Sequence, residues 1–192
     1  MLRAILVCAA VLGGSVPLLQ EPKPAPPAPA PAPAQDPAPR PEAKPADVAS
    51  VDAIVAALYD VISGPAGQKR DWDRMRSLFH PEAKLVPVVK TKDGLRARHL
   101  KVEDYVTRSG PMLEKNGFFE QEIARKVETF GDFAHVWSTY ESRRSKEDPT
   151  PFMRGINSMQ LVREQGRWFV LQVLWEQEAD AGPIPAQYLP AR

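Results

Sequence analysis

Histidines, carboxylates, tyrosines and cysteines are the side chains of this sequence most able to do chemistry, and their spacing limits what that chemistry can be. His80, His99 and His135 include no i, i+4 pair of the kind that holds a metal on one helix face. The sequence therefore predicts neither a metal site nor a cofactor. Asp60, Asp71, Asp73, Glu120, Glu122 and Glu176 show no spacing that brings two carboxylates together for acid–base work. Glu120 and Glu122 alternate along one strand face, and a solvated face is expected for them because charges are rarely buried unpaired. Tyr59 and Tyr105 fall on helical stretches, where each is either a packed ring or a hydroxyl donor to a ligand. Cys8 is the sole cysteine. Lys90, Lys92, Arg96, Arg98 and Lys101 form a basic run relieved only by Asp93; it reads as a solvated hairpin, and at a pocket mouth it would favour anions. No catalytic residue is assigned by these patterns.

The elements that must position these residues begin well inside the chain. Arg3, the apolar run Ala4 to Leu12 and the small residues Gly13-Gly14-Ser15 have the order of a secretory signal peptide. The run is too short for the roughly 30 Å of bilayer hydrocarbon, so stable membrane insertion after cleavage is not expected. The apolar run surrounds Cys8 instead of preceding it, which argues against a lipidated cysteine. Its removal with the signal would exclude disulfides, thiol catalysis and zinc–thiolate sites. Glu21 to Ala46 is a Pro/Ala tract whose fixed φ angles and missing donors favour an extended spacer, reaching on the order of 80 Å at about 3.1 Å per residue. The expected organisation is a signal peptide over 1–20, a linker over 21–47, one domain over 48–180 and a tail over 181–192. The chain carries 25 basic and 24 acidic residues among 192. That balance argues against nucleic acid as a partner, which requires a strong positive field. Export, to the periplasm or the medium, is the expected location.

Within the domain, Ser50 can cap a helix whose Val51, Ile54, Val55, Leu58, Val61 and Ile62 share a face. Asp71 can cap a shorter helix bearing Trp72, Met75, Leu78 and Phe79. Lys84 to Val89 reads as a strand that Pro87 places at an edge or a bulge. A hairpin around Asp93-Gly94 precedes a helix from Val102 to Ser109, continued from Pro111 to Asn116. Phe118 to Phe130 fits a helix or a strand by periodicity; the Gly131-Asp132 turn into Phe133 to Ser142 decides for a strand. Last come two strands joined at Gln165-Gly166. The second, Trp168 to Trp175, is apolar on both faces and so predicts cover on both, from helices or a cavity on one side and a second layer, perhaps another subunit, on the other. Helices first and antiparallel strands after make an α+β domain.

The helix pair ending in Leu78-Phe79-His80-Pro81-Glu82-Ala83, the strand Ala134 to Glu141 and the closing Gly166-Arg167-Trp168 to Trp175 resemble the nuclear-transport-factor-2-like superfamily, which includes SnoaL-like proteins and ketosteroid isomerases. The resemblance, from Val51 to Glu178, implies a cone-shaped roll of the cystatin-like kind. In such a roll a curved antiparallel sheet wraps around N-terminal helices and leaves a conical pocket, often in a homodimer. It also argues against ketosteroid isomerisation. The general base of those enzymes falls on Pro87 and the oxyanion acid on Ser158, and only Tyr59 offers a counterpart for the tyrosine. Other chemistry would need another base, with His99, Tyr59 or Tyr105 in reserve.

A two-residue turn at Gln165-Gly166 pairs Val162 with Phe169, Gln160 with Leu171, Ser158 with Val173 and Ile156 with Trp175. On that register the expected pocket lining is Tyr59, Tyr105, Ser158, Phe169, Leu171, Val173 and Trp175. The opposite face, with Trp168, Val170 and Leu174, is the expected homodimer contact. Two functions follow as expectations: an exported domain whose apolar pocket binds a small apolar ligand, or a non-catalytic dimeric interaction module in the periplasm.

Overall fold

The computed structural model describes residues 40–191; the segment read as a signal peptide and most of the Pro/Ala tract lie outside the described residues. Helices α1 (Pro45–Val48), α2 (Val51–Ile62) and α3 (Trp72–Leu78) come first. Both expected caps form: Ser50 Oγ accepts from Ala53 N at 3.1 Å and Asp71 Oδ1 from Arg74 N at 2.9 Å. Strands β1 (Phe79–Thr91) and β2 (Gly94–Ala97) follow as a hairpin, and then α4 (Val102–Asn116). Helix α4 runs through Pro111 without interruption. Its Gly110 lies against Trp72 of α3, where a Cβ would stand 3.1 Å from the indole.

Four long strands complete the domain: β3 (Phe119–Phe130), β4 (Phe133–Arg143), β5 (Met153–Glu164) and β6 (Arg167–Gln177). The sheet order is β2-β1-β6-β5-β4-β3. Neighbours joined by turns are antiparallel, but β1 lies parallel to β6, so the sheet is mixed and not wholly antiparallel. No hairpin links those two strands; the whole β3–β6 meander intervenes, which leaves their relative direction free. Pro87 is accordingly not on an edge. It pairs with Trp175 of β6, and its carbonyl accepts from Arg98 N at 3.0 Å.

The helices bury Ile54, Val55, Leu58, Met75 and Leu78 against an inner sheet face carrying Ala134, Val136, Met159, Leu161 and Val170. Two irregularities decide which side chains share that face. In β6, Leu161 pairs with Val170 and Gln160 with Gln172, which leaves Leu171 unpaired in a bulge. In β3, the register with β4 slips between Glu122 and Ala124. A one-residue slip exchanges the two faces of a strand. Beyond Leu171, therefore, Ser158 opposes Leu174 and Asn157 opposes Trp175, in place of the expected Ser158–Val173 and Ile156–Trp175 pairs.

The expected dimer face does not exist as a surface. Trp168 and Val170 are buried among the helices, while Leu174 lies beyond the bulge opposite Ser158. Part of the outer face is covered by the chain's own C-terminal segment. Helix α5 (Glu178–Ala181) holds Arg154 through Glu178 at 2.9 and 3.0 Å, Ile184 is buried, and the Tyr188 ring stands 5.4 Å from that of Trp137. Thr139 Oγ1 donates to the Tyr188 carbonyl at 2.6 Å. Residues 181–191 thus belong to the packed domain. So do residues upstream of 48, since Ala43 is buried and Asp47 pairs with Arg74 at 2.7 Å.

Candidate functional site

Between the helices and the inner sheet face lies a cavity of about 450 Å³. Leu58, Ile62, Met75, Phe79, Leu85, Leu113, Phe118, Met159 and Val173 form its apolar walls. Trp175 stands edge-on to Tyr105 of α4, ring centroids 6.3 Å apart. The polar groups gather where the end of α2 meets the start of β3. Gly64 and Phe118 exchange backbone hydrogen bonds of 2.7 and 3.0 Å, and Ser63 Oγ accepts from Glu120 N at 3.0 Å while donating to the Tyr59 carbonyl at 2.7 Å. This clasp fixes Glu120 next to Tyr59.

Tyr59 Oη lies 2.7 Å from Ser138 Oγ and accepts from Asn157 Nδ2 at 3.1 Å. Ser142 Oγ donates to Glu120 Oε2 at 2.9 Å. Withdrawal from water pushes the Glu120 carboxyl up to about 7, against the opposing help of Ser142 and Asn157. Burial likewise raises Tyr59, Tyr105 and Tyr140, and the nearby Glu120 charge adds to each. Tyr140 Oη has no hydrogen-bond partner among the described residues. It sits against Gly155, where a Cβ would lie 2.6 Å from the hydroxyl oxygen. Glu122 is engaged differently, accepting from Ser138 Oγ and from Arg125 Nε. The arrangement is an apolar chamber with a carboxyl that holds its proton up to neutral pH and three tyrosines on the same wall.

The structure divides the seven residues expected to line a pocket. Tyr59, Tyr105, Val173 and Trp175 stand on the wall of the cavity. Ser158, Phe169 and Leu171 do not. Ser158 Oγ is on the outer face, 3.0 Å from His135 Nε2. Phe169 lies between the His80 ring, edge-on at 6.0 Å, and the Arg167 guanidinium at 3.8 Å. Leu171 is the residue left over by the bulge. All three expectations failed together, because each rested on an unbroken β5–β6 register. His99, a reserve base, is exposed in the loop after β2 and does not line the cavity, although its neighbours Arg98 and Leu100 do.

No protein-family model matches the sequence, and no curated protein matches it. Similar solved structures do exist. A cystatin-like-fold domain of unknown function from Nostoc punctiforme superposes with a TM-score of 0.51 at 11% identity, covering 70% of this chain and 76% of that one. A second cystatin-like-fold protein from the same organism gives 0.50 at 14%, covering 66% and 87%. An NTF2-like protein of unknown function from Pseudomonas putida gives 0.50 at 11%, covering 74% and 90%. The chain has the nuclear-transport-factor-2-like fold. At such identities the likeness concerns the backbone alone. In the cavity, Glu120 and Asn157 are the residues that sequence reasoning missed. Asn157 takes the inward place on β5 that the unbroken register gave to Ser158. Glu120, read as solvated, instead faces Ser142. One signal was available: Ser138, Tyr140 and Ser142 alternate on one face of β4, and small polar groups on an inward face call for a polar partner.

Proposed function

We propose that this is an exported domain that binds a small, largely apolar molecule in the cavity between its helices and sheet. One observation carries the reading: an apolar chamber of about 450 Å³ has its polar groups collected at Glu120, Tyr59, Asn157 and Tyr140. Ligand sites are typically chambers of about 300–1,000 Å³ with apolar walls and a few convergent polar groups. Ketosteroid isomerisation is not part of the proposal, because Pro87, which lines the cavity where that base would stand, cannot take up a proton. The test is to denature purified protein and look by mass spectrometry for a small molecule released in proportion to the chain. Trp175→Ala should fold and lose that molecule, and retention by the variant would count against the site. Export is tested separately by fractionation and N-terminal sequencing, with a start shortly after Ser15 as the expected result.

A second reading, self-association as a homodimer, draws on the tip of the β3–β4 hairpin. Phe130 and Phe133 are 77% and 52% exposed, with ring centroids 5.9 Å apart. Two exposed aromatics at one strand end are a costly surface for a monomer. Sedimentation of Phe130→Asp/Phe133→Asp beside the wild type decides this: a wild-type dimer converted to a monomer supports the contact, and an unchanged profile removes it.

A further inference from the structure

The residues lining the cavity differ sharply in exposure, and this difference locates its mouth. Arg98, Arg108, Met112, Arg144 and Phe152 line the cavity yet are exposed. Three of these five are arginines. None of the three has a carboxylate within 4.0 Å among the described residues, although other arginines of the domain, such as Arg74, Arg76 and Arg154, are paired in this way. Arg98 is held at the rim by its own backbone, through the bond to the Pro87 carbonyl. Arg108 is carried on α4, the helix that also supplies Tyr105, Ser109 and Leu113 to the wall. The Arg144 guanidinium lies 4.0 Å over the Phe152 ring and makes one long bond, 3.5 Å, to the Gly117 carbonyl. The Asp148 carboxylate accepts from the Arg144 backbone N–H at 3.0 Å and does not pair with its guanidinium.

We propose that the ligand is an amphipathic anion, with its carboxylate, sulfate or phosphate head held by Arg98, Arg108 and Arg144 at the mouth and its apolar body inside the chamber. This rests on the ligand-binding reading above and adds the charge and orientation of the ligand to it. A guanidinium offers a rigid fork of donors matched to such head groups. Three unpaired cations at a low-dielectric opening favour anions electrostatically. The carboxyl of Glu120, also on the cavity wall, opposes a second negative charge near it, since it already keeps its proton to about 7. The head therefore stays with the exposed arginines and the body enters the apolar chamber.

Octanoate, octanol and octylammonium share one tail and differ in head charge, so calorimetry of the full chain with each of them tests the proposal. Octanoate should bind at least tenfold tighter than octanol, as expected for one charge-assisted hydrogen bond of about 1.5–3 kcal/mol, and octylammonium weakest. Arg98→Gln/Arg108→Gln/Arg144→Gln alters exposed residues only. It should bring octanoate to within about twofold of octanol, both measured on the same variant. Raising the ionic strength to about 0.5 M, where the Debye length is well below 10 Å, should weaken octanoate alone. Octanol binding as tightly as octanoate, or octanoate binding unaffected by the triple substitution, would overturn the anion assignment and leave the ligand-binding reading standing. Binding of none of the three would overturn both.

Discussion

Arg70 and Glu120 are two ionisable side chains on either side of the end of α2, the first buried and the second half-buried, and they are treated in opposite ways. The Arg70 guanidinium has five N–H donors and five backbone carbonyls around it: Ile62 at 3.1 Å, Pro65 at 3.3 Å, Gln68 at 2.5 Å, Gly64 at 2.6 Å and Leu113 at 3.2 Å. Every donor is used, the residue does not line the cavity, and it is only 7% exposed. It ties the α2–α3 loop to α4. Glu120 accepts from Ser142 and is helped by Asn157, with capacity to spare, and its carboxyl borders an open chamber beside the unpartnered Tyr140 hydroxyl. Full satisfaction marks a structural charge. Partial satisfaction, together with a pKa moved toward neutrality and an adjoining cavity, marks a group with something left to do.

The contrast can be broken most severely at Arg70. Arg70→Met leaves several buried carbonyls without donors, at about 1–3 kcal/mol each where water cannot replace them. Urea denaturation should show a loss of about 3 kcal/mol or more, and where the variant folds its affinity for octanol should be unaltered. A small loss would mean that water serves those carbonyls equally well, and the distinction between the two sites would weaken.

Glu120→Gln should act in the reverse direction and only over part of the pH range. The folded-state pKa of about 7 stands above the ordinary glutamate value of 4.5. The folded protein therefore holds the proton more tightly, and the contribution of Glu120 to stability declines as pH rises from about 4.5 through 7. The glutamine variant has no such decline. It should match the wild type near pH 4.5 and exceed it above pH 7 by up to about 3 kcal/mol, since a tenfold difference in proton affinity corresponds to about 1.4 kcal/mol. Denaturation midpoints at several pH values check this; a difference independent of pH would show that the carboxyl is solvated after all.

Ser158→Ala is the mildest change. Its hydroxyl meets only the half-buried His135 on the outer face, so the expected effect is about 0.5 kcal/mol or less on stability and none on ligand affinity.

How much of this was legible in the sequence follows from which signals are local. Ser50 and Asp71 announce helix starts because the cap is made within three residues, and the turns at Asp93-Gly94, Gly131-Asp132 and Gln165-Gly166 announce hairpins by composition. Those features, with the apolar stripe of α2, sufficed for the α+β roll. The site depended on register, which is set across the sheet. Nothing in Val170-Leu171-Gln172 marks a bulge, yet that single unpaired leucine turns Ser158 outward and Asn157 inward. Trp175 and Val173 fell on the expected wall because both lie on one side of the bulge; Phe169 lies on the other, which is why it left the group. Glu120 was misread for a related reason. A strand carrying Glu120, Glu122 and Arg125 looks solvated until it is known that Ser138, Ser142 and Asn157 stand opposite and beside it.

The ligand-binding reading and the anion assignment both require that small molecules enter the chamber holding Tyr59, Glu120, Asn157 and Trp175 and do not associate with the outer face of the sheet. Chemical-shift mapping of the isotopically labelled chain during an octanol titration decides between the two, since octanol probes the chamber without drawing on the arginine rim. Entry into the chamber predicts saturable shifts at the Trp175 indole N–H, the Asn157 side-chain amide and the Tyr59 and Tyr105 rings, with His135, Ser158 and Leu174 unmoved. Shifts centred on His135, Ser158 and Leu174, or none that saturate, would contradict it.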